Sequence, residues 1–279
     1  MPSRPGSGLA RGATLLVSAI ALLLPWTIGA TTAPPDVRAV VAGPTDGQAR
    51  LNVDLRGVDS ALAPGSVSVT VDGVPQPTRV EPLLSDRLVL GLVVDASAGA
   101  QPVLQSGLSG IASFLLRTSP TGSALVTDTT PPALAAPPSS GPADTLRALT
   151  TVSAGGERQT SVALDLALRQ LSTAEPSEPR LLLLYTSAPD AGGKPVADLV
   201  AQLKAVGAVL VVVGTAATGP PPLDYWSAVA AGTGGAAAGA VWAAASASRI
   251  GVTSAPSAIS PSRSAARDRL RATDGGRRP

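Results

Sequence analysis

Residues 88–99 read LVLGLVVDASAG, and this stretch is the first strong structural signal in the chain of 279 residues. The uninterrupted apolar run from Leu88 to Val94 predicts a strand that is buried on both faces, as strands of parallel sheets are. The run ends at Asp95, where small residues replace the large aliphatic ones. Because a strand buried on both faces needs helices above and below it, the stretch favours an α/β fold.

The sequence after this run alternates between helical and strand patterns. The alternation predicts a doubly wound, mostly parallel sheet with flanking helices. Ligands of such sheets bind beyond the carboxyl ends of the strands, here at Asp95–Ser97, Thr186–Ser187 and Gly214–Thr215. The predicted elements are a helix through Leu104, Leu108, Ile111 and Leu115, a strand Ser123–Thr127, a proline-rich connection 129–141, helices Ala143–Leu149 and Ser161–Leu171, a strand Leu181–Tyr185, a helix Val196–Val206 and a strand Ala208–Val213.

Residues 36–80 predict a small β unit in front of the α/β domain. Two runs in which every second residue is apolar predict strands with one apolar face each, which suits packing on a neighbouring layer. Asp72-Gly73 occupies the position of a tight turn. The alternating residues are Leu51, Val53 and Leu55 in one run, and Val67, Val69 and Val71 in the other.

Both ends of the chain differ from its middle. Residues 1–30 predict a cleaved export signal, because Arg4 and Arg11 precede an uncharged apolar stretch and Ile28-Gly29-Ala30 offers small residues for cleavage. An uncleaved membrane anchor is the alternative. Residues 31–35 are predicted to be a linker, and residues 249–279 a disordered basic tail. We therefore expect a protein that is secreted or associated with the cell envelope.

The net charge of +2 conceals opposite charges in two parts of the chain. Residues 31–248 carry 12 Lys and Arg against 17 Asp and Glu, a net charge of −5, whereas residues 249–279 carry seven Arg against two Asp, a net charge of +5. The acidic middle argues against nucleic-acid binding. The basic tail suits weak contact with anionic envelope polymers, or is simply solvated.

The composition excludes most catalytic chemistry. The chain has no cysteine and no histidine, so thiolate nucleophiles, zinc–thiolate sites and imidazole bases are absent. No phosphate-binding loop, nucleophile elbow or dinucleotide-binding fingerprint is present either. The sequence therefore predicts a protein that is not an enzyme. Aromatic residues make up only 2%, which counts against a small-molecule pocket.

Residues 225–248 carry no charge and allow two interpretations. Their length and the basic tail that follows would suit a membrane span, and with it a membrane-tethered structural protein. Their content of Ala, Gly, Ser and Thr, with GTGG in the middle, favours a helix followed by an edge strand.

The segment Val93–Gly99, VVDASAG, resembles the first-strand motif D-x-S-x-S of von Willebrand factor A domains. Later segments match that family in order: Thr160 opens a helix at the position of the family's metal-site threonine, and LLLLYTS at 181–187 is similar to its strand ending in Thr-Asp-Gly. Ala230–Gly235, AAGTGG, resembles a late segment of the family. The resemblance covers residues 86–245 and implies the family's α/β fold.

The resemblance also implies a metal-ion-dependent adhesion site built from oxygen ligands, in which a partner's carboxylate completes the coordination of Mg²⁺. Carried over by position, the candidate metal ligands are Asp95, Ser97 and Thr160. Gly99 replaces the family's second serine, and Ser187 replaces its second aspartate. Asp190 is a possible substitute, although the geometry of a strand end argues against it.

The favoured interpretation is a degenerate site without a metal or other cofactor, and weak Mg²⁺ binding is the alternative. In the degenerate case, Asp95 caps the strand end by accepting backbone N–H bonds, and Ser97 is only a hydroxyl at a helix N-terminus. We expect a non-catalytic, adhesion-type interaction module of the bacterial cell envelope with an unidentified protein partner. A small-molecule-binding module outside the cytoplasm is the alternative.

Overall fold

The computed structural model describes residues 36–45, 48–56, 67–71, 73–77 and 80–239. The predicted export signal 1–30, linker 31–35 and basic tail 249–279 lie outside the described residues. The strands are β1 (Asp36–Thr45), β2 (Gln48–Arg56), β3 (Val69–Val71), β4 (Val74–Gln76), β5 (Val89–Asp95), β6 (Gly122–Asp128), β7 (Ala133–Ala136), β8 (Arg180–Thr186), β9 (Ala208–Gly214) and β10 (Ala236–Gly239). The helices are α1 (Gln101–Thr118), α2 (Pro142–Leu149), α3 (Thr160–Leu171), α4 (Val196–Val206) and α5 (Asp224–Thr233).

The main sheet has six strands in the order β10-β9-β8-β5-β6-β7. Neighbours pair in parallel except β7, which pairs antiparallel with β6 at one edge. Within this sheet, the chain first forms β5 in the centre and continues outward through β6 to β7. It then forms β8 on the other side of β5. The two directions of winding diverge between β5 and β8, which is the switch point where doubly wound sheets bind ligands. The predicted α/β class is confirmed.

Helices cover both faces of the sheet, and the apolar residues divide into two cores. One core joins the sheet to α3, α4 and α5, with Leu164, Leu199 and Trp226 fully buried. The other joins the opposite face to α1 and α2, with Ile111 and Leu115 fully buried. Strands β5 and β6 are buried along their whole length because both faces are covered, which explains the uninterrupted apolar run of β5.

The predicted small β unit consists of two separate hairpins, β1–β2 and β3–β4, both antiparallel. Gly73 in the turn of the second hairpin has a φ of 79°, a conformation that favours glycine. The first hairpin contacts the end of α5, where Asn52 Nδ2 donates a hydrogen bond of 3.1 Å to the Thr233 carbonyl. A Cβ added to Gly234 would lie 2.9 Å from the Asn52 Cβ, so the hairpin and the segment after α5 pack closely there.

The helix bounds and most strand bounds agree with the sequence patterns to within one or two residues. The proline-rich connection 129–141 is the exception, because it contains the edge strand β7. Within 225–248, the described part forms α5 and the edge strand β10, as the favoured interpretation predicted, and residues 240–248 lie outside the description. Among the described residues, no helix combines the length and the apolar character needed to cross a membrane.

Candidate functional site

The candidate site lies at the carboxyl ends of β5 and β8, on either side of the switch point. Asp95 is the last residue of β5, and its side chain is 3% exposed. Ser187 follows the last residue of β8 and is partly exposed. The two residues come together because parallel pairing brings both strand ends to the same edge of the sheet.

Both carboxylate oxygens of Asp95 accept hydrogen bonds from the protein. Oδ1 accepts from the Ser97 backbone N–H at 3.2 Å and the Ser97 hydroxyl at 2.6 Å. Oδ2 accepts from the Ser187 backbone N–H at 3.1 Å and the Ser187 hydroxyl at 2.6 Å. These bonds offset the cost of burying the carboxylate.

A guanidinium group completes this network. Nε of Arg158 lies 3.0 Å from Oδ2 of Asp95, and Nη2 lies 2.6 Å from the Ser187 hydroxyl oxygen. The Arg158 side chain is 30% exposed, so it connects the buried Asp95 carboxylate to the surface. Nη1 makes no hydrogen bond within the described part of the chain. The segment between α2 and α3 thus supplies the cation that neutralises Asp95.

A tightly held loop places Arg158 over the strand ends. The Gly155 N–H donates to the Ala96 carbonyl at 2.8 Å, and the Ala98 N–H donates to the Gly156 carbonyl at 3.0 Å. Gly156 has a φ of 66°, and a Cβ there would lie 3.0 Å from the Thr129 hydroxyl oxygen. The loop is therefore fixed to the segments that follow both β5 and β6, and a glycine is required where it turns.

A second carboxylate ends the neighbouring strand. Asp128 is fully buried and stands opposite Asp95 in the register of β5 and β6. Its oxygens accept from the Gln159 backbone N–H at 2.6 Å and from the Thr160 hydroxyl at 2.5 Å, which holds the start of α3 against β6. Burial raises the pKa of Asp128, and repulsion by Asp95 adds to this. Hydrogen bonds from Thr160 and Gln159 and attraction by Arg158 lower the same pKa.

Of the three candidate metal ligands, the structure joins two directly. Ser97 is bonded to Asp95, whereas the Thr160 hydroxyl donates to Asp128. Ser97 is the N-cap of a short 3₁₀ turn, as the helix N-terminus interpretation expects, but its hydroxyl makes no capping bond and donates to Asp95 instead. The interpretation of Asp95 as a strand-end cap agrees with the two backbone N–H bonds it accepts.

The two departures from the family motif also border this network. A Cβ at Gly99 would lie 3.9 Å from the Ser97 hydroxyl oxygen and 4.0 Å from Nη2 of Arg158. A serine there would therefore stand beside the guanidinium. Asp190 is occupied elsewhere, because its Oδ1 accepts the backbone N–H groups of Gly192 and Gly193 at 2.7 and 3.2 Å.

The arrangement does not fit a divalent ion as it stands. Mg²⁺ needs six oxygen ligands at about 2.1 Å, and here both Asp95 oxygens already accept protein hydrogen bonds. The guanidinium of Arg158 is the cation beside that carboxylate. The described residues contain no group of three or more acidic side chains able to hold a metal ion. A divalent ion binding to Oδ2 of Asp95 would have to displace the guanidinium of Arg158.

Sequence reasoning missed two residues of this network, Asp128 and Arg158. Asp128 carried a usable signal, since it ends an apolar strand just as Asp95 does. Arg158 carried none, because an arginine in a glycine-containing loop is most often solvated. A separate shallow depression of about 380 Å³ lies between the second halves of α3 and α4, lined in part by Leu168, Arg169 and Gln202. This depression is distant from the carboxyl ends of the strands, because α3 and α4 end beside the amino ends of the strands.

Comparisons with known proteins give similarity at the level of structure. No protein-family model matches the chain, and no curated protein matches it. The chain is similar to a solved von Willebrand factor type A protein from Catenulispora acidiphila, with 17% identity and a TM-score of 0.45 over 64% of this chain and 42% of that one. The similarity to this protein is one of fold alone.

Two further solved structures show the range of these similarities. Proximal thread matrix protein 1 from the mussel byssus, solved with a zinc-occupied adhesion motif, has 18% identity and a TM-score of 0.46 over 56% of this chain and 42% of that one. An aerotolerance-related membrane protein from Bacteroides fragilis has 16% identity and a TM-score of 0.44 over 58% of this chain and 97% of that one. This chain spans under half the length of the Catenulispora and mussel proteins.

Proposed function

We propose that this von Willebrand factor A-like domain is a non-catalytic protein-interaction module that is exported to the cell envelope and works without a bound metal. The observation that carries the proposal is the polar network at the switch point. It is rigidly held, it reaches the surface through Arg158, and its buried carboxylate is already neutralised. A surface of this kind suits recognition of a partner, since fixed hydrogen-bonding groups lose little entropy on binding.

The same network argues against catalysis. A general base needs an available lone pair and a pKa near the working pH, yet Asp95 is engaged by donors on both oxygens and Asp128 is fully buried. The hydroxyls of Ser97 and Ser187 donate to Asp95 and have no imidazole beside them to activate them. The network therefore serves as a fixed structure, with Arg158 as its outward group.

Export is supported by the sequence of residues 1–30, whose charged start and apolar stretch have the order of a secretory signal. The partner is therefore expected among envelope proteins. The tail 249–279 adds positive charge, which suits weak contact with anionic envelope polymers.

The proposal is tested by immobilising the full chain and quantifying the envelope proteins that it retains. We expect a partner that is retained by wild type and lost in Arg158→Ala. Arg147→Ala is the matched control, because Arg147 lies on α2 with a side chain that is 75% exposed and, among the described residues, forms its ion pair with Asp144. If every retained protein binds wild type and Arg158→Ala equally, the switch-point surface is not the interaction site.

A further inference from the structure

We infer that Arg158 is the resident cation of this site: its guanidinium takes the place of a divalent ion and makes the Asp95 network independent of metal. The inference rests on the proposed function for its biological meaning, but its test needs no partner. It also accounts for the two departures from the family motif, Gly99 and Ser187, as one change of the site's chemistry.

The charge balance of the site supports the role of Arg158 as its cation. Asp95 and Asp128 end neighbouring strands, and among the described residues Arg158 is the one basic residue that bonds to Asp95 and the one that acts electrostatically on Asp128. A guanidinium stays protonated at every physiological pH and bonds to oxygens in a fixed planar geometry. It therefore supplies a permanent positive charge where two carboxylates would otherwise repel each other.

The geometry of the guanidinium also suits this role. Nε contacts Asp95 and Nη2 contacts Ser187, so one planar group joins the ends of β5 and β8. A second aspartate at position 187 would add a negative charge next to Asp95 and attract a metal ion, whereas the serine adds none. Gly99 borders the guanidinium as well, since a Cβ there would make an ordinary contact of 4.0 Å with Nη2.

Removing the guanidinium should create a cation site from residues already in place. Without Arg158, the Asp95 carboxylate and the hydroxyls of Ser97 and Ser187 remain together, with Asp128 on the adjacent strand end. Oxygen groups of this kind bind hard divalent cations, with dissociation constants of about 1 mM or lower for weak sites. Loss of the Arg158 guanidinium leaves the negative charge of the two carboxylates unbalanced, and Mn²⁺ can offset it.

The test uses Mn²⁺ as the probe and ¹⁵N nuclear magnetic resonance of the full chain, reading the backbone amides of Ser97 and Ser187 and the Nε–H of Arg158. In wild type we expect an Arg158 Nε–H that exchanges slowly, and no selective broadening of the two amides by about 1 mM Mn²⁺. In Arg158→Met we expect selective broadening of both amides, which disappears in Arg158→Met combined with Asp95→Asn.

Arg158→Lys is the second variant, since lysine keeps the charge but lacks the planar group that contacts two residues. This variant is the fallback if Arg158→Met does not fold. Because lysine keeps the positive charge, the line widths of the Ser97 and Ser187 amides should stay within tenfold of those in wild type at the same Mn²⁺ concentration. Selective, Asp95-dependent broadening in wild type overturns the inference. An Arg158 Nε–H signal that does not change in Asp95→Asn overturns it as well. Metal binding in wild type would also overturn the metal-free part of the proposed function, whereas the partner experiment tests separately whether this surface binds a protein.

Discussion

At the scale of single residues, Asp128 gives the site its sensitivity to pH. Burial raises the pKa of its carboxyl above the ordinary value of 3.8, more than its hydrogen bonds lower it. Folded Asp128 therefore keeps its proton at a pH at which the unfolded chain has lost it. Its contribution to the free energy of unfolding falls as the pH rises through the window that starts near 3.8 and ends above the raised pKa. The groups that act on it are Asp95, Arg158, Thr160 and Gln159.

Asp128→Asn should remove this pH dependence of the free energy of unfolding. Relative to the variant, wild type should lose stability as the pH rises through that window, and the difference should become constant above it. Urea unfolding at several values between about pH 4 and pH 7 measures this difference. Asp144→Asn is the control, because Asp144 is 61% exposed on α2. Parallel curves for wild type and Asp128→Asn would contradict the expected role of burial.

The residues of the site were predictable only in part, and the reason is physical. Asp95 and Ser97 stand two positions apart in one motif, so the sequence brings them together whatever the fold. Arg158 reaches Asp95 across 63 positions, and Ser187 across 92. The Ser187 contact follows from the parallel pairing of the strands, whereas the Arg158 contact depends on how a loop is fixed after the sheet has formed, and no local pattern encodes it. Asp128 was within reach of the strand-end argument, but the predicted strand stopped at Thr127.

At the scale of elements, α1 contains two glycines that face the same ring. A Cβ at Gly107 would lie 3.6 Å from Cδ1 of Tyr185, an ordinary contact, whereas a Cβ at Gly110 would lie 2.6 Å from the Tyr185 hydroxyl oxygen. Gly107 therefore has room for a side chain, and Gly110 has none unless the ring moves. The two positions form a matched pair on one helix.

Gly107→Ala should stabilise the protein by about 1 kcal/mol, because alanine loses less backbone entropy in a helix than glycine. Gly110→Ala carries the same gain in helix propensity but must displace the phenol ring, so we expect it to be less stable than Gly107→Ala by about 1 kcal/mol or more. Thermal unfolding of both variants measures the difference. Equal stabilities would show that Tyr185 moves aside at no cost.

The elements themselves were largely predictable, since buried parallel strands and amphipathic helices have distinct apolar patterns. The bounds of α4, Val196–Val206, match the sequence pattern without a shift. The edge strand β7 was missed because its four residues lie within a proline-rich segment and three of them are exposed. An exposed strand that short has neither a continuous apolar run nor a clear alternation.

At the scale of the whole molecule, Asn52 links the β1–β2 hairpin to the main domain. Asn52→Ala removes the hydrogen bond to the Thr233 carbonyl, which we expect to cost about 1 kcal/mol. Because the hairpin has its own ladder, amide hydrogen exchange should accelerate chiefly in β1, β2 and the end of α5. Ser68→Ala, an exposed position in the same β unit, is the control. Unchanged exchange in the hairpin would mean that other contacts hold it.

The two edges of the main sheet have a consequence for how copies of this protein behave together. Open edges of sheets are templates for strand addition, and long flat ones promote assembly into fibres. Here each edge strand has only four residues, and Pro131, Pro132, Pro137 and Pro138 flank β7. Proline cannot donate a backbone hydrogen bond, so a second chain finds little to pair with. The β7 edge is thereby a poor template for growth of the sheet between molecules.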